Sequence, residues 1–309
     1  LIGGSGNDVY SVNSKLDMIQ ETSTDLAEID TVYATVSWTL GARLENLRLA
    51  GSGTTTGSGN ELNNRIVGND GANALYAHAG DDTIDGGLGS DTLLGGSGDD
   101  TYHLDRSTDM VREYSGQGND LVVSAASFVL PTSVESLELR GAAVRGTGNT
   151  LDNTIFGNAA ANVLSGLAGN DALFGEAGAD LISGGTGNDI VYGGLGNDTL
   201  SGGSGADTFA FDTAPHAVSN VDHLSDFVAA EDGFNLLGSE FSSLGPSGVL
   251  AAGAFRAGAA AADASDRIVY DADSGRLYFD ADGNGSGAAV LFAILDTRPA
   301  ITASDFFVI

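Results

Sequence analysis

A nine-residue step governs most of this chain. Asparagine or aspartate recurs at Asn64, Asn73, Asp82, Asp91, Asp100 and Asp109, and again at Asn153, Asn162, Asp171, Asp180, Asp189, Asp198 and Asp207. Two positions after each lies an apolar residue: Ile66, Leu75, Ile84, Leu93, Tyr102 and Val111 in the first run, and Ile155, Leu164, Leu173, Ile182, Val191, Leu200 and Phe209 in the second. Asp8 and Asp17 stand in the same phase, followed by Tyr10 and Ile19. The complete unit reads Gly-Gly-x-Gly-x-Asp-x-apolar-x, as in Gly184-Gly185-Thr186-Gly187-Asn188-Asp189-Ile190-Val191-Tyr192. Gly-x-Asp at the fourth to sixth places of the unit recurs nine times, ending at Asp8, Asp82, Asp91, Asp100, Asp171, Asp180, Asp189, Asp198 and Asp207. A short fixed period of this kind means a solenoid.

The unit divides into a six-residue glycine-rich turn and a three-residue strand, long enough to aim one apolar side chain inward. Two units make an 18-residue coil with a strand on each side. Stacked coils give parallel strands about 4.8 Å apart, and parallel crossovers are right-handed. Such stacking places Asp82 over Asp100, Asp91 over Asp109, Asp171 over Asp189 and Asp207, and Asp180 over Asp198. Carboxylates so arranged repel unless a cation lies between them. The whole chain has the same bias: 42 acidic against 12 basic residues, a formal charge of -30. That charge disfavours nucleic acid and anionic membranes as partners. The 46 glycines leave backbone carbonyls accessible, and carboxylate plus carbonyl oxygen suits calcium. Magnesium demands a tighter octahedron. Zinc and copper want histidine or cysteine; cysteine is absent, and the four histidines form no HExxH motif.

The nonapeptide resembles that of the repeats-in-toxin (RTX) family, whose fold is a calcium-loaded right-handed parallel β-roll. The resemblance implies that one turn supplies the carbonyls of its first and third residues with its aspartate. A turn one coil away then supplies the carbonyls of its second and fourth residues with its own aspartate. On this chain those implied ligands are Asp8 and Asp17; Gly80 and Asp82; Gly86, Gly87, Leu88, Gly89 and Asp91; Gly95, Gly96, Ser97, Gly98 and Asp100; and Asp109. In the second run they are Gly166, Ala168, Gly169 and Asp171; Gly175, Ala177, Gly178 and Asp180; Gly184, Gly185, Thr186, Gly187 and Asp189; Gly193, Gly194, Leu195, Gly196 and Asp198; and Gly202, Gly203, Ser204, Gly205 and Asp207. Asp222 is similar to the residue that closes the last site after Asp198. Six aspartate–aspartate pairings follow, with four weaker ones where Asn64, Asn73, Asn153 and Asn162 replace aspartate, or about six to ten Ca2+ sites. Glu21 and Glu113 are read either as additional outer ligands or as solvated surface.

A longer duplication lies above the short period: Gly3 matches Gly95, Glu45 matches Glu135 and Asn60 matches Asn149. The alternating stretches Asp30–Leu49 and Asp120–Leu139 read as coils without the glycine turn. The expected fold class is therefore all-β, a β-roll in two calcium-binding blocks with spacer coils and a carboxy-terminal β-rich cap. The segments are 1–58, a partial roll turn plus non-glycine coils; 59–112, the first block; 113–144, spacer coils; 145–212, the second block; and 213–309, the cap. Within the cap, the alanine-rich stretch 251–264 suggests a short helix, and Ile268–Tyr270 with Leu277–Phe279 a hairpin. Asp280-Ala281-Asp282-Gly283-Asn284-Gly285 begins like an EF-hand loop, but Leu291 stands where the bidentate glutamate belongs, so a tight turn is expected.

Residues 266–280 and the ending Ser304-Asp305-Phe306-Phe307-Val308-Ile309 resemble the carboxy-terminal domains of type I secreted proteases, lipases and epimerases. That resemblance implies export by a type I secretion machinery as partner, and a secreted, extracellular or cell-surface location. The chain opens mid-repeat, so any catalytic domain is expected upstream; no nucleophile elbow or zinc motif lies within it. Three functions stay open: a secretion and folding module, a section of an adhesin or surface-layer protein with possible self-association, or a non-catalytic module of a secreted enzyme. Neither membrane insertion nor nucleic-acid binding is expected.

Overall fold

The computed structural model describes residues 1–22 and 27–309. The fold is all-β, a parallel β-solenoid. Among the described residues every regular element is a strand except two three-residue 3-10 turns, Ala252–Ala254 and Ala303–Asp305. The alanine-rich stretch thus holds a single turn rather than the expected helix. Its run is broken by Gly253 and Gly258 and is too short to repay helix nucleation. No helix among the described residues is long and apolar enough to cross a membrane. The residues form two compact units, Leu1–Ala142 and Ala143–Ile309.

In the first unit the chain alternates between two parallel sheets. One is built from Val9–Val12, Thr31–Ala34, Asn46–Leu49, Arg65–Val67, Thr83–Asp85, Thr101–Leu104, Leu121–Ser124 and Ser136–Leu139, in that order. The other contains Trp38–Thr39, Thr56–Ser58, Ala74–Ala79, Thr92–Ser97 and Met110–Arg112. Register keeps an apolar residue over an apolar residue whatever the coil length. The step is 18 residues between glycine turns, as in Ile66 to Ile84 to Tyr102 and Leu75 to Leu93 to Val111. It shortens to 15 from Val32 to Leu47 and from Val122 to Leu137, and lengthens to 20 from Tyr102 to Val122. Turn length is therefore free while the inward ladder is not: each fully buried Leu, Ile or Val contributes about 1.5–3 kcal/mol.

The second unit repeats the 18-residue step through Ile155, Leu173, Val191 and Phe209 on one side and Leu164, Ile182 and Leu200 on the other. All seven are buried. Both sheets continue past the last nonapeptide. Asp222–Leu224 pairs in parallel with Thr199–Ser204, Gly233–Leu236 with Thr208–Phe211, and Phe306–Val308 with Gly233–Leu236. Ile268–Asp271 and Arg276–Phe279 form the antiparallel hairpin that the sequence suggests. Phenylalanine replaces aliphatic residues in this part of the core: Phe227 and Phe306 each stack on Phe234 with ring centroids 4.5 Å apart.

The second place of each turn explains the second glycine of the repeat. Gly87, Gly96, Gly185, Gly194 and Gly203 have φ between 76° and 127°. His78, Leu167 and Glu176 occupy the same place at φ of 86°, 80° and 72°. A left-handed backbone costs an L-residue about 1–2 kcal/mol, so these three turns carry strain that glycine would remove.

Candidate metal centre

Each turn ends at its aspartate, where the chain leaves the turn and enters the sheet. The aspartate N–H donates to Oδ1 of the aspartate one coil on. Asp82 bonds Asp100 at 2.8 Å, Asp91 bonds Asp109 at 3.1 Å, Asp171 bonds Asp189 at 2.8 Å and Asp189 bonds Asp207 at 2.9 Å. Asp180 bonds Asp198 at 2.8 Å, and Asp198 bonds Asp222 at 3.1 Å. All six expected pairs are thus adjacent. The four asparagines join the same columns, Asn64 to Asp82 at 2.6 Å, Asn73 to Asp91 at 2.7 Å, Asn153 to Asp171 at 2.7 Å and Asn162 to Asp180 at 2.6 Å.

The second oxygen of these carboxylates is the unusual one. Oδ2 of Asp8, Asp82, Asp91, Asp100, Asp171, Asp180, Asp189, Asp198 and Asp207 is buried without a hydrogen-bond partner. These are the nine residues of the Gly-x-Asp series. A buried unpaired carboxylate oxygen is costly, and so many in one chain calls for a counter-charge. In eight of the nine the bare oxygen faces the first glycine of its turn; the turn closed by Asp82 begins with Ala77 instead. A Cβ built on Gly175 would lie 2.6 Å from Oδ2 of Asp180 and also touch the carbonyl oxygen of Gly193. On Gly184 it would touch Oδ2 of Asp189 and lie 2.6 Å from the carbonyl oxygen of Gly202. On Gly193 it would meet Oδ2 of both Asp198 and Asp222, at 2.6 and 3.1 Å. The missing side chain leaves a cradle whose nearest polar atoms are carboxylate and carbonyl oxygens, a donor set that fits a hard cation such as calcium.

Electrostatics agree. Burial, opposed by the N–H bond from the preceding coil, pushes the carboxyls of Asp82, Asp100 and Asp180 up to about 7. The same cause pushes Asp91, Asp171 and Asp207 up to about 6. Asp222 is raised well above the ordinary range by burial and then by the charge of Asp198. Without a cation these groups resist ionisation.

The implied backbone ligands divide. First-place carbonyls, such as those of Gly184, Gly193 and Gly202, face a cradle. The third-place carbonyls of Ser97, Thr186, Leu195 and Ser204 instead accept the N–H of Gly80, Gly169, Gly178 and Gly187 at 2.8–3.0 Å. One lone pair on each remains for other use. Asp17 does not join the ladder: its Oδ2 accepts the N–H groups of Asn13 and Ser14, closing a local turn. Asp8 pairs with Asp30, its N–H donating to Oδ1 at 2.7 Å. In the EF-hand-like stretch, Oδ2 of Asp282 accepts the N–H of Gly287 at 2.9 Å, as in a tight turn.

Three ladder members escape the nine-residue count. Asp120 accepts the N–H of Asp100 at 2.9 Å, Asp232 that of Asp207 at 3.0 Å, and Asp30 that of Asp8. Asp120 carried a readable signal, since Gly116-Gln117-Gly118-Asn119-Asp120 spells the turn two residues out of phase. Asp30 and Asp232 carry none.

A family model for the RTX calcium-binding nonapeptide repeat matches residues 58–93, 88–111, 147–182 and 174–209. These segments are RTX calcium-binding repeats. They cover less than half of the chain and hold every ladder aspartate except Asp8, Asp30, Asp120, Asp222 and Asp232. No curated protein matches. Among solved structures the chain is similar to the AlgE6R3 subunit of the Azotobacter vinelandii mannuronan C5-epimerase, at 28% identity and a TM-score of 0.24, covering 51% of this chain and 78% of that one. It is also similar to the extracellular lipase LipA from Serratia marcescens, at 17% identity and a TM-score of 0.20, covering 91% of this chain and 44% of that one. The RTX segments make this chain a calcium-binding repeat module.

Proposed function

We propose that the module gates folding by calcium: the chain stays unfolded at the low calcium of a cytoplasm and folds after export. The observation that carries this reading is the set of nine buried carboxylate oxygens without partners. The carboxylates of successive coils and the first-place glycine carbonyls would hold the ion, and the ion supplies the positive charge that the ladder lacks. Magnitudes support control of the whole fold. Extracellular calcium modules bind with dissociation constants of about 10⁻⁴–10⁻³ M. At tenfold excess each site adds about 1.4 kcal/mol, so six add about 8 kcal/mol, against a domain stability of about 5–15 kcal/mol. At sub-micromolar calcium the gain vanishes while the repulsion stays.

Export by a type I machinery accords with the carboxy-terminal ending. Phe306–Val308 is a paired strand with Phe306 and Val308 buried, so an exporter would read this segment before the fold forms. Deleting residues 304–309 is expected to hold the protein inside the producing cell; undiminished export would refute that part. The folding claim is tested by circular dichroism in chelator and then in millimolar calcium. At neutral pH strand signal is expected only with calcium, and equal signal in both would sink the gate.

A further inference from the structure

Among the described residues, two acidic trios each join an aspartate of the nonapeptide series to a glutamate and an aspartate outside it. Ligand oxygens of Asp100, Glu113 and Asp120 lie within 4.8 Å of one another, and those of Asp8, Glu21 and Asp30 repeat the arrangement. Building on the calcium reading, we propose that each trio is a three-carboxylate cation site, tighter than the two-aspartate sites of the ladder and filled before them.

Glu113 is held for this task. Its Oε1 accepts the Tyr102 hydroxyl and the N–H groups of Gly95 and Gly96, the latter two at 3.1 and 3.3 Å. Its Oε2 is buried without a partner. Asp100 is 1% exposed and its Oδ2 is also unpartnered; a Cβ on Gly95 would touch that oxygen, so it faces the cradle of its own turn. Asp120 is likewise 1% exposed. In the duplicate, Tyr10 donates to Oε2 of Glu21 at 2.6 Å, and Oδ2 of Asp8 is unpartnered. A Cβ on Gly3 would lie 2.6 Å from Oδ2 of Asp8 and 2.5 Å from Oε2 of Glu21.

The chemistry differs from the ladder in one respect. A mid-column aspartate such as Asp189 is shared between the coils on either side, whereas Glu113 serves one site alone. The trio therefore offers an extra unshared negative charge, and calcium affinity rises with ligand charge. An ion there would also clamp the segment 113–120 to the turn 95–100, where the glycine coils give way to the spacer. A trivalent lanthanide is favoured further by the same charge.

The test counts calcium retained per chain by atomic absorption after dialysis against graded calcium buffers. It uses the full chain, Glu113→Gln, Glu21→Gln and the ladder control Asp180→Asn. Two ions are expected to hold at about tenfold lower free calcium than the rest. Each glutamine variant should lose one of them, and Asp180→Asn should keep both. Should Glu113→Gln or Glu21→Gln not fold in millimolar calcium, terbium luminescence of the unaltered chain decides. Excited through tyrosine, it should rise with the first two equivalents, because Tyr10 and Tyr102 bond the ligand glutamates. Variants that keep both tight ions, or terbium emission that lags behind ladder filling, overturn the proposal while leaving the calcium module intact. If no form retains calcium, the module reading falls as well.

Discussion

Turns closed by asparagine and turns closed by aspartate solve one problem in two ways. In the turn 157–162, the Asn158 N–H donates to Oδ1 of Asn162 at 2.7 Å, and Nδ2 of Asn162 donates to the Ala143 carbonyl at 3.3 Å and to Asn158 at 3.4 Å. Oδ1 of Asn158 accepts the Ala160 N–H at 2.8 Å. The turns 59–64 and 68–73 do the same, with Asn64 donating to Leu44 and Glu45 carbonyls and Asn73 to Thr55. One coil on, Asp180 presents an oxygen where Asn162 presents an NH2, and that oxygen has no protein partner. The amide does for the entrance turns what a cation must do for the ladder. The asparagines are thus less weakened calcium sites than turns that need no calcium. Each of these turns also begins Gly-Asn, with the second amide supplying the remaining bonds.

The largest way to perturb this contrast is pH, because it acts on every aspartate turn and on no asparagine turn. The folded carboxyls of Asp82, Asp100, Asp120 and Asp180 lie near 7 and those of Asp91, Asp171 and Asp207 near 6, against about 4 in an unfolded chain. A raised folded pKa means that the cation-free fold keeps its stability below about pH 4 and loses it as pH rises toward 7. Chelated protein should therefore gain strand signal on acidification from pH 8 to 5. The calcium midpoint should move the other way, to higher calcium below pH 7, since each ion must displace protons. Both are read by circular dichroism, and a calcium midpoint independent of pH would detach the burial from the binding.

Next in size is Asp189→Asn. Asp189 lies between Asp171 and Asp207, so the change removes a bare oxygen from two pairs. Stability in tenfold excess calcium should fall by about 3 kcal/mol, read from urea midpoints.

The smallest effect is expected from Asn162→Asp, which turns an entrance into a ladder turn. It should add one calcium per chain and at most about 1.4 kcal/mol at tenfold excess. Loss of the bond from Nδ2 to Ala143 should offset part of that gain.

The nine-residue period alone made the solenoid legible, since Ile66, Ile84 and Tyr102 could be stacked by counting, and so could the aspartates beneath them. Counting failed where coil length changes. Asp120 lies 20 residues from Asp100, and Asp232 lies 25 from Asp207. Turn length is invisible to a fixed period, because only the inward apolar residue and the closing carboxylate are constrained. Asp17 fits the count yet closes a local turn, since chain phase does not say which way a carboxylate points. The role of the asparagines was hidden for another reason. Composition marks the lost charge, but only geometry reveals what an NH2 group reaches.

On the proposed reading, aspartate turns take a cation and asparagine turns do not. Crystals grown in millimolar calcium, with ions located by anomalous scattering, test it most directly. Calcium is expected beside Oδ2 of Asp171, Asp180, Asp189, Asp198 and Asp207, and none beside Nδ2 of Asn64, Asn73 or Asn162. Ions at the asparagine turns, or ladder oxygens without calcium, would show that the amide does not replace the cation.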